Sequence, residues 1–488
     1  MESNNLKQKA ITGVMWTTAQ RFSSIFVGFV SGIILARLLT PYDYGCIGML
    51  TIFMVFSSVF IDAGFGTALI QKKRPTQDDY STVFFWNLGI STFIYFILFF
   101  AAPYIAQFYR TPILCNVLRV QGLVLIVNAF LTIQTNQLNK QFRFKKIAIT
   151  NIFTSVINLS FTVYLAYTGW GVWALVASNL MTALIPAIVY WLTNKWYPKL
   201  VFSIQSFKEL FSFGSYMLLT QLLGRIVGNV QGLLIGRIYN PELMGYYAKA
   251  NSTEQLATKT ISDVVMQVTF PLYSELQDSK EMMILAIKKI VSSIAFLSYP
   301  LLFLLILLAK PIFILLYSDR WVESIPYFQI LCFAGLALCL HGANSQAVIA
   351  IGKSKEMFKW SFVKQVVGII CIVGGLFLFG IKGMLAGMVM QCWLVYFVNA
   401  GLVSHYIGYK IRRQLLDLTP VMLLSIGSFT VSYVAGLILP YGMYVNAIIM
   451  FVISAATYIG IAKVLKLEAL GLCIEMTTPF VNKFFKKK

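Results

Sequence analysis

A chain of 488 residues with 58% hydrophobic and 12% charged residues and a mean hydropathy of +0.76 is too apolar for any soluble fold class. The formal net charge of +21 does not point to nucleic acid, because nearly every aromatic residue lies inside an apolar run and the basic residues lie between runs. The composition predicts an all-α, polytopic membrane protein whose partners include membrane lipids and no nucleic acid.

The N-terminal segment MESNNLKQKAITGVMW places two lysines before an apolar stretch that continues to Leu38, with no short apolar core and small-residue cleavage site, so it reads as a retained first helix. Runs long enough to span, about 20 residues each, fall near 12–38, 45–70, 81–106, 114–138, 147–168, 171–192, 210–238, 245–273, 285–309, 324–350, 358–380, 383–408, 419–439 and 442–465, predicting 14 helices. Between the first two runs lies SGIILARLLTPYDYG, and QGLLIGRIYNPELMG follows 200 residues later. Gly28, Gly32, Arg37, Pro41 and Gly45 recur without a gap as Gly228, Gly232, Arg237, Pro241 and Gly245. In each copy a helix ends near an arginine, turns at a proline and restarts near a glycine. Weaker matches follow: Pro103 and Tyr109 with Pro311 and Tyr317, then Gly171 and Ala174 with Gly383 and Ala386. A repeat of that length predicts a duplicated domain, with one six-helix lobe over 1–200, a second over 201–412, and two additional helices and a basic tail over 413–488.

With the N-terminus inside, the inner segments carry 27 lysines and arginines and the outer loops and helix ends only six, which predicts that both termini are cytoplasmic. The longest inner stretch, about 193–209, alternates aromatics with lysines and is expected to lie along the inner leaflet.

Charged residues inside spans mark cavities or partners. Arg21 and Arg225 lie at similar depths in the first and seventh helices. Two readings are open: a shared cationic chamber, or burial of each against a carboxylate such as Asp62. In the eighth helix Lys249, Ser252, Thr253, Lys259, Thr260, Asp263 and Gln267 gather opposite an apolar stripe, as expected beside a water-filled cavity. Arg119 sits a turn inside the fourth helix, and Lys364 is placed to snorkel from the eleventh. The run QTNQLN over 134–139 and Asn344 with Gln346 suit either sugar binding or contacts between helices. Asp62, Glu254 and Asp263 are candidate carboxylates for coupling to a proton or sodium gradient.

Several chemistries find no support. Gly352-Lys353-Ser354 lacks the earlier glycine of a phosphate-binding loop, having Ala347 there. The seven cysteines, mostly within apolar runs, form no CxxC pair, and His341 and His405 have no metal-ligand spacing, so no cofactor, metal site or catalytic group is expected.

The basic segment before a helix with an internal arginine, the RLLTPYDYG corner, DAGFGTALIQ at the end of the second helix and GWGVWALV at the start of the sixth resemble the Wzx-type lipopolysaccharide and capsule oligosaccharide flippases of the multidrug/oligosaccharidyl-lipid/polysaccharide transporter superfamily. The resemblance covers the whole chain. It implies a pair of six-helix lobes around a cavity that opens alternately to either side of the bacterial cytoplasmic membrane. It implies as substrate an undecaprenyl-diphosphate-linked oligosaccharide, and as further partners the polysaccharide polymerase and chain-length machinery. The family's cationic cavity corresponds to Arg21 and Arg225, with Lys249, Lys259 and Arg119 as additional candidates. The fourteen predicted spans depart from the twelve of many relatives. Two other readings carry less: a drug/cation antiporter, which prefers an acidic cavity, and a membrane-embedded polymerase, which needs a larger outer loop than 310–323.

Overall fold

A computed structural model describes residues 2–62 and 65–471; the side chains at 2–11, 14, 67, 212–221, 223, 226, 263–265, 267 and 268 lie outside the description. The described residues are helical almost throughout, as the apolar runs require, because a backbone in lipid must satisfy its own hydrogen bonds. They divide into two compact units, Met1–Ala248 and Lys249–Lys488.

The first unit contains α1 (Glu2–Leu38), α2 (Pro41–Asp62), α3 (Phe65–Gln71), α4 (Gln77–Phe108), α5 (Ile113–Gln121), α6 (Leu123–Lys140), α7 (Phe144–Tyr167), α8 (Val172–Thr193), α9 (Ile204–Val227), α10 (Val230–Ile238) and the first turns of α11 (Pro241–Glu275). The second contains the rest of α11, α12 (Lys280–Leu307), α13 (Ala309–Tyr317), α14 (Ser324–Ala350), α15 (Ser354–Tyr406), α16 (Ile411–Ile438) and α17 (Met443–Val464). Among the described residues, 11 helical segments are long and apolar enough to cross a membrane. Of the 14 runs, those near 210–238 and 245–273 are absent from the 11, and those near 358–380 and 383–408 share α15.

Helix α15 is two helices in one. Phe379 and Gly380 leave helical geometry, with Gly380 at φ 64°, a conformation natural to glycine. The two halves then run back along each other through glycine contacts: a Cβ on Gly375 would lie 2.2 Å from the Gly383 carbonyl, and one on Gly387 would lie 2.2 Å from that of Cys371.

The repeated corners have matching local chemistry. Proline occupies the first position of α2 and of α11, where its missing N–H costs nothing. Just before it, Thr40 and Asp43 cap reciprocally, the Thr40 amide donating to Asp43 Oδ2 at 2.9 Å and the Asp43 amide to Thr40 Oγ1 at 3.4 Å. In the second copy Asn240 Oδ1 accepts from the Leu243 amide at 2.8 Å. Within the first unit these corners meet. A Cβ on Gly45 would fall 1.7 Å from the Pro241 carbonyl oxygen, and one on Gly245 would fall 1.8 Å from that of Pro41. Each glycine is therefore seated on the other copy's proline, a backbone-to-backbone approach that any side chain would block.

The 193–209 stretch is tied to its own unit by hydrogen bonds, while Tyr197, Leu200 and Phe202 stay exposed. The Lys199 and Ser203 amides donate to Ser81 Oγ and Thr82 Oγ1 at 3.0 Å each, and Trp196 Nε1 donates to Gln77 Oε1 at 2.6 Å. At its start Asn194 Nδ2 donates to Gln134 Oε1 at 2.7 Å. Gln134 and Gln137 are thus buried links between helices. Lys72 adds a charged tie, bridging Asp79 at 3.1 Å and Glu209 at 3.0 Å. Burial lowers the Lys72 pKa, but the hydrogen bonds with Glu209 and Asp79 outweigh it and the net shift is upward.

In the second unit α16 and α17 pack on α12. Tyr458 donates its buried hydroxyl to the Phe296 carbonyl at 2.9 Å, and the Phe303 and Phe429 rings lie 5.8 Å apart. These two helices, beyond the predicted repeat, are therefore part of the second unit, packed on its α12.

Candidate functional site

In the first unit, α1 presents a polar face within the first turns of its apolar segment Met15–Leu38. Thr17, Gln20, Arg21 and Ser24, at i, i+3, i+4 and i+7, line an open recess together with Ile25. Arg21 is half-buried there. Arg225, near the end of α9, is exposed, and its backbone carbonyl accepts from Asn229 Nδ2 at 2.8 Å. Arg119 is held by α4: its Nε donates to the Phe99 carbonyl at 3.3 Å and its guanidinium carbon stands 4.4 Å from the Phe99 ring centre. Asp62 ends α2, and Oδ1 lies 3.3 Å from where a Cβ on Gly66 would sit, a position also 3.2 Å from the buried amide of Asn136.

The polar residues of α11 separate in the second unit. Lys249 is only 4% exposed, and its Nζ sits 3.9 Å from the Tyr317 ring centre and 5.8 Å from that of Trp321. Thr253 Oγ1 and the Tyr317 hydroxyl are 3.1 Å apart, so α13 and the short turn after it wall in this lysine. One turn on, Glu254 is likewise 4% exposed, and Oε1 has no hydrogen-bond partner. Its space comes from α14: a Cβ on Gly335 would fall 2.9 Å from Glu254 Oε1 and 2.7 Å from Thr258 Cγ2. Lys259 is exposed. The side chain of Asp263 lies outside the described residues.

Further buried polar groups lie in the same unit. Lys364, expected to snorkel, is 6% exposed and donates to Asn399 Oδ1 at 2.8 Å across the two halves of α15. His341 Nε2 lies 2.8 Å from the Cys392 carbonyl. Asn344 is fully buried with neither side-chain polar atom hydrogen-bonded. The parts that Gly335, Tyr317, Trp321 and Asn399 play here escaped sequence reasoning, which names Tyr317 only as a repeat match. Each acts by what it places beside a residue far away in the chain, and only a glycine interrupting an apolar helix hinted at Gly335. Among the described residues no group of three or more His, Cys, Asp or Glu side chains could hold a metal ion.

Many long apolar helices with polar groups enclosed between them define a multi-pass membrane protein, and the fold is one shared with solved membrane transporters. It is similar to that of the lipid II flippase MurJ in an inward closed conformation, with a TM-score of 0.75 and 14% identity, covering 93% of this chain and 98% of that one. An inward-facing multidrug resistance MATE family transporter aligns with a TM-score of 0.59 and 16% identity over 84% of this chain and 98% of its own. Residues 34–326 match the family described as "Polysaccharide biosynthesis protein", and the chain belongs to that family. Similar relatives are the teichuronic acid biosynthesis protein TuaB of Bacillus subtilis (strain 168), 24% identical over 73% of this chain and 74% of its own length. The lipopolysaccharide biosynthesis protein WzxC of Escherichia coli (strain K12) is 23% identical over 89% of each chain.

Proposed function

We propose that the chain is a flippase that carries an undecaprenyl-diphosphate-linked oligosaccharide from the inner to the outer leaflet of the bacterial cytoplasmic membrane for assembly of a surface polysaccharide. The observation that carries this reading is the polar face of α1, with Arg21 at its centre, on a helix otherwise suited to lipid. Such a face is stable beside water or a polar cargo and costly against hydrocarbon. The family supports it, as does the likeness to TuaB and WzxC, proteins of teichuronic acid and lipopolysaccharide biosynthesis. So does the fold likeness to MurJ.

In this reading there are fourteen spans, lobes over 1–200 and 201–412, two added helices, and both termini in the cytoplasm. Arg21 and Arg225 grip the diphosphate, since a guanidinium pairs with two phosphate oxygens at once. The glycan occupies the aqueous path and the prenyl tail stays in lipid. Lys259 is a further contact, whereas the enclosure of Lys249 and the α4 anchorage of Arg119 favour positioning roles. Transport is coupled to an ion gradient through Glu254, Asp62 or Asp263, and the product passes to the polymerase and chain-length machinery. The test is surface polysaccharide in a strain lacking its own flippase, complemented at matched protein level. Arg21→Lys and Arg225→Lys should impair transport with charge retained. Alanine at either site should cost more, roughly tenfold or greater, as expected for a charge-assisted hydrogen bond worth ~1.5–3 kcal/mol. Full complementation by the double alanine variant would remove the arginines from the binding site.

A further inference from the structure

We propose that the α7–α8 end at Arg143 is a binding site for the phosphate headgroup of an anionic two-chain membrane phospholipid, distinct from the substrate path. A recess of about 450 Å³ there is lined by Arg143, Lys145 and Lys146, with Ile149, Thr150, Val189 and Thr193 completing its wall. Among the described residues the three cations have no built-in counter-charge. No aspartate or glutamate occurs between Asp79 and Glu209, so α7, α8 and the turn that joins α6 to α7 contain none. Among the described residues none of the three makes an ion pair, and Lys145 Nζ stands 5.5 Å from the centre of the Trp16 ring of α1. The first turn of α7, a 24-residue helix, adds its own partial positive charge at the same place. Cations gathered this closely repel one another, and an external anion relieves that repulsion.

Beyond the charged end the same helices are apolar and exposed. Ile149 and Phe153 are 49% and 54% exposed on α7, and Ile188 and Leu192 are 49% and 76% exposed on α8. Residues four apart on each helix share a face, so two apolar tracks lead away from one cationic recess. That pattern fits a phosphate with two acyl chains better than a diphosphate with a single prenyl chain. The placement at the inner leaflet rests on the orientation proposed above; headgroup recognition does not. It adds to a basic surface of the kind that concentrates anionic lipid.

Native mass spectrometry of the purified full chain, titrated with dioleoyl-phosphatidylglycerol, dioleoyl-phosphatidylcholine or undecaprenyl diphosphate, tests this. The wild type should retain phosphatidylglycerol over phosphatidylcholine. The triple variant Arg143→Ala/Lys145→Ala/Lys146→Ala should bind phosphatidylglycerol at least ~tenfold more weakly, since each basic residue contributes to such binding. An equally neutralised control, Lys353→Ala/Lys355→Ala/Lys359→Ala, should bind it as the wild type does. If the triple variant is not monodisperse, Lys145→Gln and Lys146→Gln singly should each lower the affinity at least ~twofold. Unchanged phosphatidylglycerol binding by the folded variants would overturn the proposal, as would displacement of phosphatidylglycerol by undecaprenyl diphosphate at this site. None of these readouts involves flipping, so failure here and failure of the transport reading are separable.

Discussion

Glu254 has the environment of a group that must change its state to be tolerated. A carboxylate enclosed among helices with one oxygen unbonded is costly while charged, and a bound proton or cation removes most of that cost. If it is the coupling residue, Glu254→Gln, which keeps size and removes ionisation, should leave folding intact. Transport in vesicles should then stop responding to the proton and sodium gradients. An unchanged gradient response in that variant would dismiss Glu254 and leave Asp62 and Asp263. Sequence periodicity placed Lys249 and Glu254 on a polar helix but could not tell an enclosed lysine from one facing water. Enclosure is decided by Tyr317 and Gly335, some 60 to 80 residues downstream, and no local pattern records that.

The repeated corners were legible as elements because proline and glycine act locally: proline fixes where a helix begins, and the residue before it supplies the cap. That the two copies rest on each other was not legible, since pairing depends on the bundle's packing. The contact makes a sharp prediction. Gly45→Ala or Gly245→Ala would drive a methyl group into a proline carbonyl, so each should cost about 1–3 kcal/mol as an overpacked site or force the corners apart. A lowered thermal unfolding temperature of the purified protein, or lost complementation at normal abundance, would register it. Full stability and full transport in the double variant would discard the contact. Replacing Pro41 or Pro241 should disturb assembly or the inward/outward balance and spare substrate binding. The hairpin in α15 was legible too, as two runs separated near Gly380. The tethering of the strap after α8 was not, because the hydroxyls and amides that capture its backbone and Trp196 sit on α4 and α6, far away in the chain.

At the scale of the whole molecule, apolar composition and loop charge settle the class before any contact is known, because a bilayer imposes helices and retains positive charge inside. Topology follows as a test. Pro75→Cys and Phe142→Cys in a cysteine-free background should resist an impermeant thiol reagent added outside and react once the membrane is opened; labelling from outside would reverse the orientation. The central claim is that this chain moves a lipid-linked oligosaccharide across a bilayer. The most direct measurement reconstitutes the purified protein into vesicles containing an undecaprenyl-diphosphate-linked oligosaccharide and follows the glycan's accessibility to an impermeant glycosidase. Accessibility should rise beyond that in protein-free vesicles with the wild type, and far less with Arg21→Ala/Arg225→Ala. A wild-type protein that is folded and inserted yet leaves accessibility at the protein-free level, under an imposed proton or sodium gradient of either sign, would contradict the account.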